Sequence, residues 1–124
     1  MSDSSTTVQE LRQLVGNFIE ERDWRQFHAP KNLSMALAIE AAELMEHFQW
    51  IGVNDSRDVP ADKEKLAEVG EELADVIAYA LALANELEID LSNTLRAKMA
   101  KNVEKYPVEE FRDTLPAHDH GREK

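Results

Sequence analysis

One stretch limits the folds open to this chain more than any other. Leu73 to Ala84, read as LADVIAYALALA, is apolar on almost every side except at Asp75 and Tyr79, and it lies inside a helical segment running from Asp62 to about Leu87. A helix apolar all round must be covered all round. With 124 residues the chain has room for one domain, and about four helices rarely enclose one of their own members. A second copy is therefore expected to supply part of the cover, with a homodimer as the minimum assembly.

The remaining segments are helical as well. Thr7 followed by Glu10 is a capping-box signature, and Val8, Leu11, Val15, Phe18 and Ile19 then recur at helical spacing, which predicts a helix over Thr7 to Arg22. Asn32 is placed to cap a second helix reaching Ile51, with Leu33, Leu37, Ala41, Leu44, Phe48 and Ile51 as its stripe. Asp90 is placed to cap a last helix, which Pro107 stops after Tyr106. Residues 23–31 and 52–61 read as connectors, the first unusually aromatic. With four Gly, four Pro and 6% aromatic residues, the composition disfavours a sheet, so the predicted class is all-α. The expected organisation is a flexible start (1–6), a helical domain (7–107) and a polar, mobile tail (108–124).

Charge and composition exclude several functions. Cysteine is absent, which removes disulfides, thiolate metal sites and thiol nucleophiles. The net charge of −11 argues against duplex nucleic acid as a partner. No run reaches the roughly 18 apolar residues of a membrane span, so a cytoplasmic protein without membrane contact is expected.

Against this background four carboxylates stand out. Helical rotation places Glu40 inside the apolar stripe of the second helix and Glu43 on its edge, while Glu46 points away. On the third helix Glu68, Glu72, Asp75 and Tyr79 share one stripe, with Glu72 and Asp75 set among apolar residues. Ionised carboxylates in a low-dielectric site cost several kcal/mol each unless positive charge is shared among them. Residues 33–51 contain no Lys or Arg, and the third helix has only Lys63 and Lys65, both at its start. A divalent cation meets the need, and oxygen donors without Cys or a Glu-x-x-His set suit Mg²⁺ or Mn²⁺.

Mg²⁺ held by few protein ligands also takes phosphate oxygens, so a nucleotide or other polyphosphate is the natural partner. The last helix carries Arg96, Lys98, Lys101 and Lys105 against Glu104 alone, with Lys98, Asn102, Lys105 and Tyr106 along one narrow face. Trp24, Phe27, His28, Trp50 and Tyr79 are candidate walls for a base, although for any one of them a place in the core is the commoner reading.

Taken in order, Glu21-Arg-Asp-Trp24-x-x-Phe-His28-x-Pro-x-Asn32-Leu33, Glu40-x-x-Glu43, Phe48-Gln-Trp50, Glu72-x-x-Asp75 and Lys98-Met-x-x-Asn102-x-x-x-Tyr106-Pro107 resemble the MazG-like all-α nucleoside triphosphate pyrophosphohydrolases. The dCTP pyrophosphatase branch is the nearest in look. The resemblance implies a four-helix bundle assembled as a dimer or a dimer of dimers. It also implies Mg²⁺-dependent hydrolysis of a nucleoside triphosphate to monophosphate and pyrophosphate. Glu40, Glu43, Glu72 and Asp75 would be the catalytic metal ligands. Lys98, Asn102 and Tyr106 would lie near phosphate and sugar, Trp24, His28, Trp50 and Tyr79 near the base, and Asn32 would complete the substrate-binding set. Two other readings stay open: a pyrophosphatase of broad nucleotide specificity, and a catalytically silent helical dimer that binds nucleotide or a protein partner.

Overall fold

Helix boundaries in the computed structural model, which describes residues 1–115, follow local capping chemistry. Helix α1 (Val8–Glu21) opens on the expected capping box: Glu10 N–H donates to Thr7 Oγ1 at 3.1 Å and Thr7 N–H donates to Glu10 Oε1 at 3.4 Å. It ends where Asp23 turns into the left-handed region at φ 53°, and a 3₁₀ turn at Trp24–Phe27 follows.

Helix α2 (Pro30–Glu46) departs from expectation at both ends. It is capped by Ala29, with Pro30 as its first residue, because a ring-fixed φ and a missing N–H suit that position. Asn32 therefore lies inside the helix, and its Nδ2 donates back to Phe27 O at 3.1 Å. At the other end, residues 47–51 tighten into turns closed by Phe48 N to Met45 O and Ile51 N to Phe48 O, so the helix stops well short of Ile51. The connector after it is more ordered than expected, with a short helix α3 (Val53–Arg57) and a 3₁₀ turn at Val59–Ala61.

Helix α4 (Lys63–Leu87) is the longest element. Asp62 caps it by accepting from Lys65 N–H at 3.1 Å, and it ends at Glu88, φ 54°, with Ile89 N–H returning to Ala84 O. Its interior contains Gly70, at which an added Cβ would meet nothing within 4 Å.

The chain divides after Ile89 into two units. In the first, α2 and α4 pack most extensively and α1 lies against α4. Arg12 and Asn85 fasten α1 to the end of α4 reciprocally: Arg12 Nε donates to Asn85 Oδ1 at 2.9 Å, and Asn85 Nδ2 donates to Arg12 O at 3.1 Å. The core of this single chain is small, with Leu33, Val59, Leu81, Ala82 and Ala84 as its buried apolar residues. Of the α4 residues predicted to be buried all round, only Leu81, Ala82 and Ala84 are buried in this single chain. Leu73 and Ile77 keep 48% of their surface, since nothing else in this unit covers that face.

The second unit begins at Asp90, which accepts from Asn93 N–H at 2.9 Å to cap α5 (Leu91–Lys105). Pro107 then leads into the single turn α6 (Val108–Phe111), where the Tyr106 and Phe111 rings meet edge to face at 5.1 Å. Residues 116–124 of the polar tail lie outside the described residues. No described residue is in a strand, and no described helix is long and apolar enough to cross a membrane.

Candidate metal centre and adjoining aromatic pocket

The antiparallel pairing of α2 with α4 brings Glu40 and Glu43, one turn apart on the first, against Glu72 on the second. One carboxylate oxygen from each lies within 4.8 Å of the other two. Glu40 and Glu72 are half-buried and Glu43 is exposed, which follows from their places inside and on the edge of the apolar stripe. Glu40 Oε2 and Glu72 Oε2 are both shielded from solvent and have no hydrogen-bond partner.

This crowding shifts their protonation. Burial pushes the Glu40 carboxyl up to about 7, aided by its hydrogen bond to Glu43 and by the charges of Glu43, Asp75 and Glu72. Burial also raises Glu72, followed by the charges of Glu43 and Asp75 and a hydrogen bond to Glu43, while His47 pulls the other way. Three hard oxygen donors with two stranded oxygens among them suit a divalent cation of the Mg²⁺ or Mn²⁺ type. Asp75 stands outside this trio, near enough for its charge to be felt at both partly buried members.

Asp75 also borders an apolar pocket of about 340 Å³, walled by Phe18 and Ile19 of α1, Trp24 and His28 of the aromatic connector, and Tyr79 of α4. The rings follow one another edge to edge: Phe18 to Trp24 at 5.6 Å, Trp24 to His28 at 6.3 Å, and His28 to Tyr79 at 6.4 Å. His28 Nδ1 is buried without a partner. On the other side of His28 lies a larger, more polar cavity of about 500 Å³, lined by Glu20, Asp23, Arg25, Asn85 and Glu86. No member of the carboxylate trio lines that cavity. The smaller pocket is the one that Asp75 borders.

Not every sequence-predicted site residue converges here. Trp50 is 87% exposed and lines neither cavity, because the chain has already left α2 before reaching it. The Asn32 amide is spent on holding the turn that carries Trp24 and Phe27. Lys98, Asn102 and Tyr106 belong to the second unit, where Asn102 Nδ2 contacts Met99 Sδ at 3.7 Å. The sequence reading missed Phe18 and Ile19 as pocket walls, though their helical spacing from Leu14 and Val15 carried that signal. It also missed the contact between His47 Nδ1 and Lys65 Nζ, 3.0 Å apart, which no periodicity announces.

A fold of paired helices carrying acidic groups that face one another defines a class, and comparison with known proteins supplies the family. The model of the MazG-like family matches residues 35–115, and the chain belongs to that family. It is 40% identical over 102 residues to mouse dCTP pyrophosphatase 1 and 39% identical over 102 residues to the human protein of that name. In both cases 82% of this chain is covered, and the chain spans 60% of the length of these curated relatives. The crystal structure of a pyrophosphatase from Archaeoglobus fulgidus superimposes with a TM-score of 0.74 at 36% identity, covering 86% of this chain and 98% of that one.

Proposed function

We propose that this chain is a Mg²⁺-dependent nucleoside triphosphate pyrophosphohydrolase acting on dCTP or a modified cytosine nucleotide, in the service of nucleotide-pool cleansing. The observation that carries the reading is proximity: Asp75 borders an aromatic pocket sized for a base, and its charge is felt at Glu40 and Glu72 of a carboxylate trio suited to a divalent cation. The names of the relatives described above support the same substrate class.

Glu40, Glu43 and Glu72 would hold the cation, with Asp75 beside them. Bound there, Mg²⁺ draws charge from phosphate oxygens and acidifies water. The protein's own part begins with the base, which Trp24 and Tyr79 stack and the unpartnered His28 Nδ1 orients. That placement sets the α–β bridge over the trio. Glu43, the exposed member of the trio, takes the proton from the attacking water. The water oxygen bonds to a phosphorus of that bridge as the bridging P–O bond breaks, which yields monophosphate and pyrophosphate. Lys98, Asn102 and Tyr106 contact phosphate and sugar in this reading, supported by the excess of bases on α5. Asn32 serves by fixing the aromatic turn, and the exposed Trp50 belongs to the base side in this reading.

Assembly as a dimer or tetramer is supported by the half-exposed Leu73 and Ile77 on α4 and by Leu14 and Phe18 on α1, at 60% and 48% exposure. The deciding experiment incubates the protein with each common NTP and dNTP and with 5-methyl-dCTP, with and without Mg²⁺. Pyrophosphate release from cytosine deoxynucleotides only with Mg²⁺ is expected. Release of single phosphate, or no turnover of any nucleotide, overturns the reading.

A further inference from the structure

His47 ends α2 and Lys65 stands in the first turn of α4, and their side chains meet at 3.0 Å in a partly buried contact. An ammonium has no lone pair to give, so Nδ1 of the imidazole accepts and the ring proton sits on Nε2. Lys65 thus spends a hydrogen bond on a neutral ring. Its charge has no carboxylate at ion-pair distance among the described residues, in a chain with 25 acids to 14 bases. A half-shielded positive charge is stabilised by a negative one, and α4 carries carboxylates on every turn around Lys65. The pair is built to meet an anion that the chain itself does not supply.

Its place on the groove says which anion. Going toward the start of α4, Tyr79, Glu72 and Lys65 follow at seven-residue steps, each about 10 Å of helix rise. Glu40, Glu43 and His47 run the other way on α2. The order along the groove is therefore aromatic pocket, carboxylate trio, then the His47–Lys65 pair. A nucleotide with its base in the pocket and its α–β bridge at the trio has only its distal phosphates left to place, and they reach toward this end.

We propose that His47 and Lys65 form the subsite for the β- and γ-phosphates, receiving the pyrophosphate leaving group through the Lys65 charge and the His47 Nε2–H. This rests on the nucleotide reading above. Neither residue takes part in the bond exchange; both bind what departs.

Calorimetric titration of inorganic pyrophosphate at fixed Mg²⁺ tests the assignment, with dCMP titrated in parallel. Lys65→Met and His47→Leu are each expected to weaken pyrophosphate binding about tenfold, the usual worth of a hydrogen bond to a charged group, and to leave dCMP binding unchanged. Lys65→Arg should keep most of the pyrophosphate affinity. Unchanged pyrophosphate affinity in both variants, or no binding by the wild type, overturns the proposal. So does an equal loss for dCMP together with a lowered melting temperature, which would make the pair only a clasp between helices. Failure of the nucleotide reading is seen separately, as absent hydrolysis by the wild type, whatever the pyrophosphate titration gives.

Discussion

Glu40 and Glu72 reach each other from different helices, and each shields one carboxylate oxygen, Oε2, that no hydrogen-bond donor meets. Two stranded oxygens on opposite sides of one groove are costly to the free protein and useful to a bound cation. Most of what can be tested follows from that pairing.

Replacing either acid with its amide should separate binding from stability. Glu40→Gln and Glu72→Gln are expected to lower turnover at least about 100-fold, because a metal ligand is worth several kcal/mol of transition-state stabilisation. The metal-free variants should melt no lower than the metal-free parent, since like charges are relieved. Calorimetric Mn²⁺ titration with parallel thermal melts checks both halves. A large fall in melting temperature would show that these acids are structural.

The Glu40 carboxyl also fixes how stability depends on pH. Its folded value of about 7 lies above the ordinary 4.5, so the folded state holds a proton that the unfolded chain gives up. Its contribution is fully present below pH 4.5 and is lost as pH rises through 7. In chelator the melting temperature should therefore fall across this window. Mg²⁺, which binds the ionised form, should flatten or reverse the slope, and a flat profile in chelator would contradict the burial of this group.

Trp24 offers a cleaner test of the base pocket, because it keeps 41% of its surface and contributes little to the core. Loss of a stacked ring costs about 1–3 kcal/mol, so Trp24→Ala should raise KM for a cytosine nucleotide about tenfold or more while changing kcat less. Steady-state kinetics across several bases would show whether the loss follows the base.

On α4, Ile77→Asp sets a charge on a half-exposed apolar face away from the carboxylate trio. If a second copy covers that face, sedimentation equilibrium should show the variant dissociating to monomer at concentrations where the parent does not. An unchanged molar mass would locate the interface elsewhere.

What could be read in advance was whatever the chain encodes locally. Thr7 with Glu10, Asp62 and Asp90 each act on a backbone N–H three residues away, so those helix starts were visible. The stripe positions of Glu40, Glu43 and Glu72 followed from helical rotation, whereas the pairing of α2 with α4 that brings them together is seen only in the fold. Asn32 misled because capping preference alone ignores the stronger claim of Pro30 on the first helical position. The expected reach of that helix to Ile51 misled for a different reason: the helix unwinds at His47. The His47–Lys65 contact joins residues 18 apart across a loop, and only folding makes them neighbours.

Gly70 leaves a gap in the side-chain surface of α4 two residues before Glu72, in a helix where alanine would be favoured by about 1 kcal/mol. A methyl group there fits the lone chain without strain, so Gly70→Ala is a route to a tougher protein that leaves every acidic and aromatic group in place. Should that exchange weaken the protein instead, the notch is filled from outside by another molecule's surface, and glycine is the entry fee for its close approach.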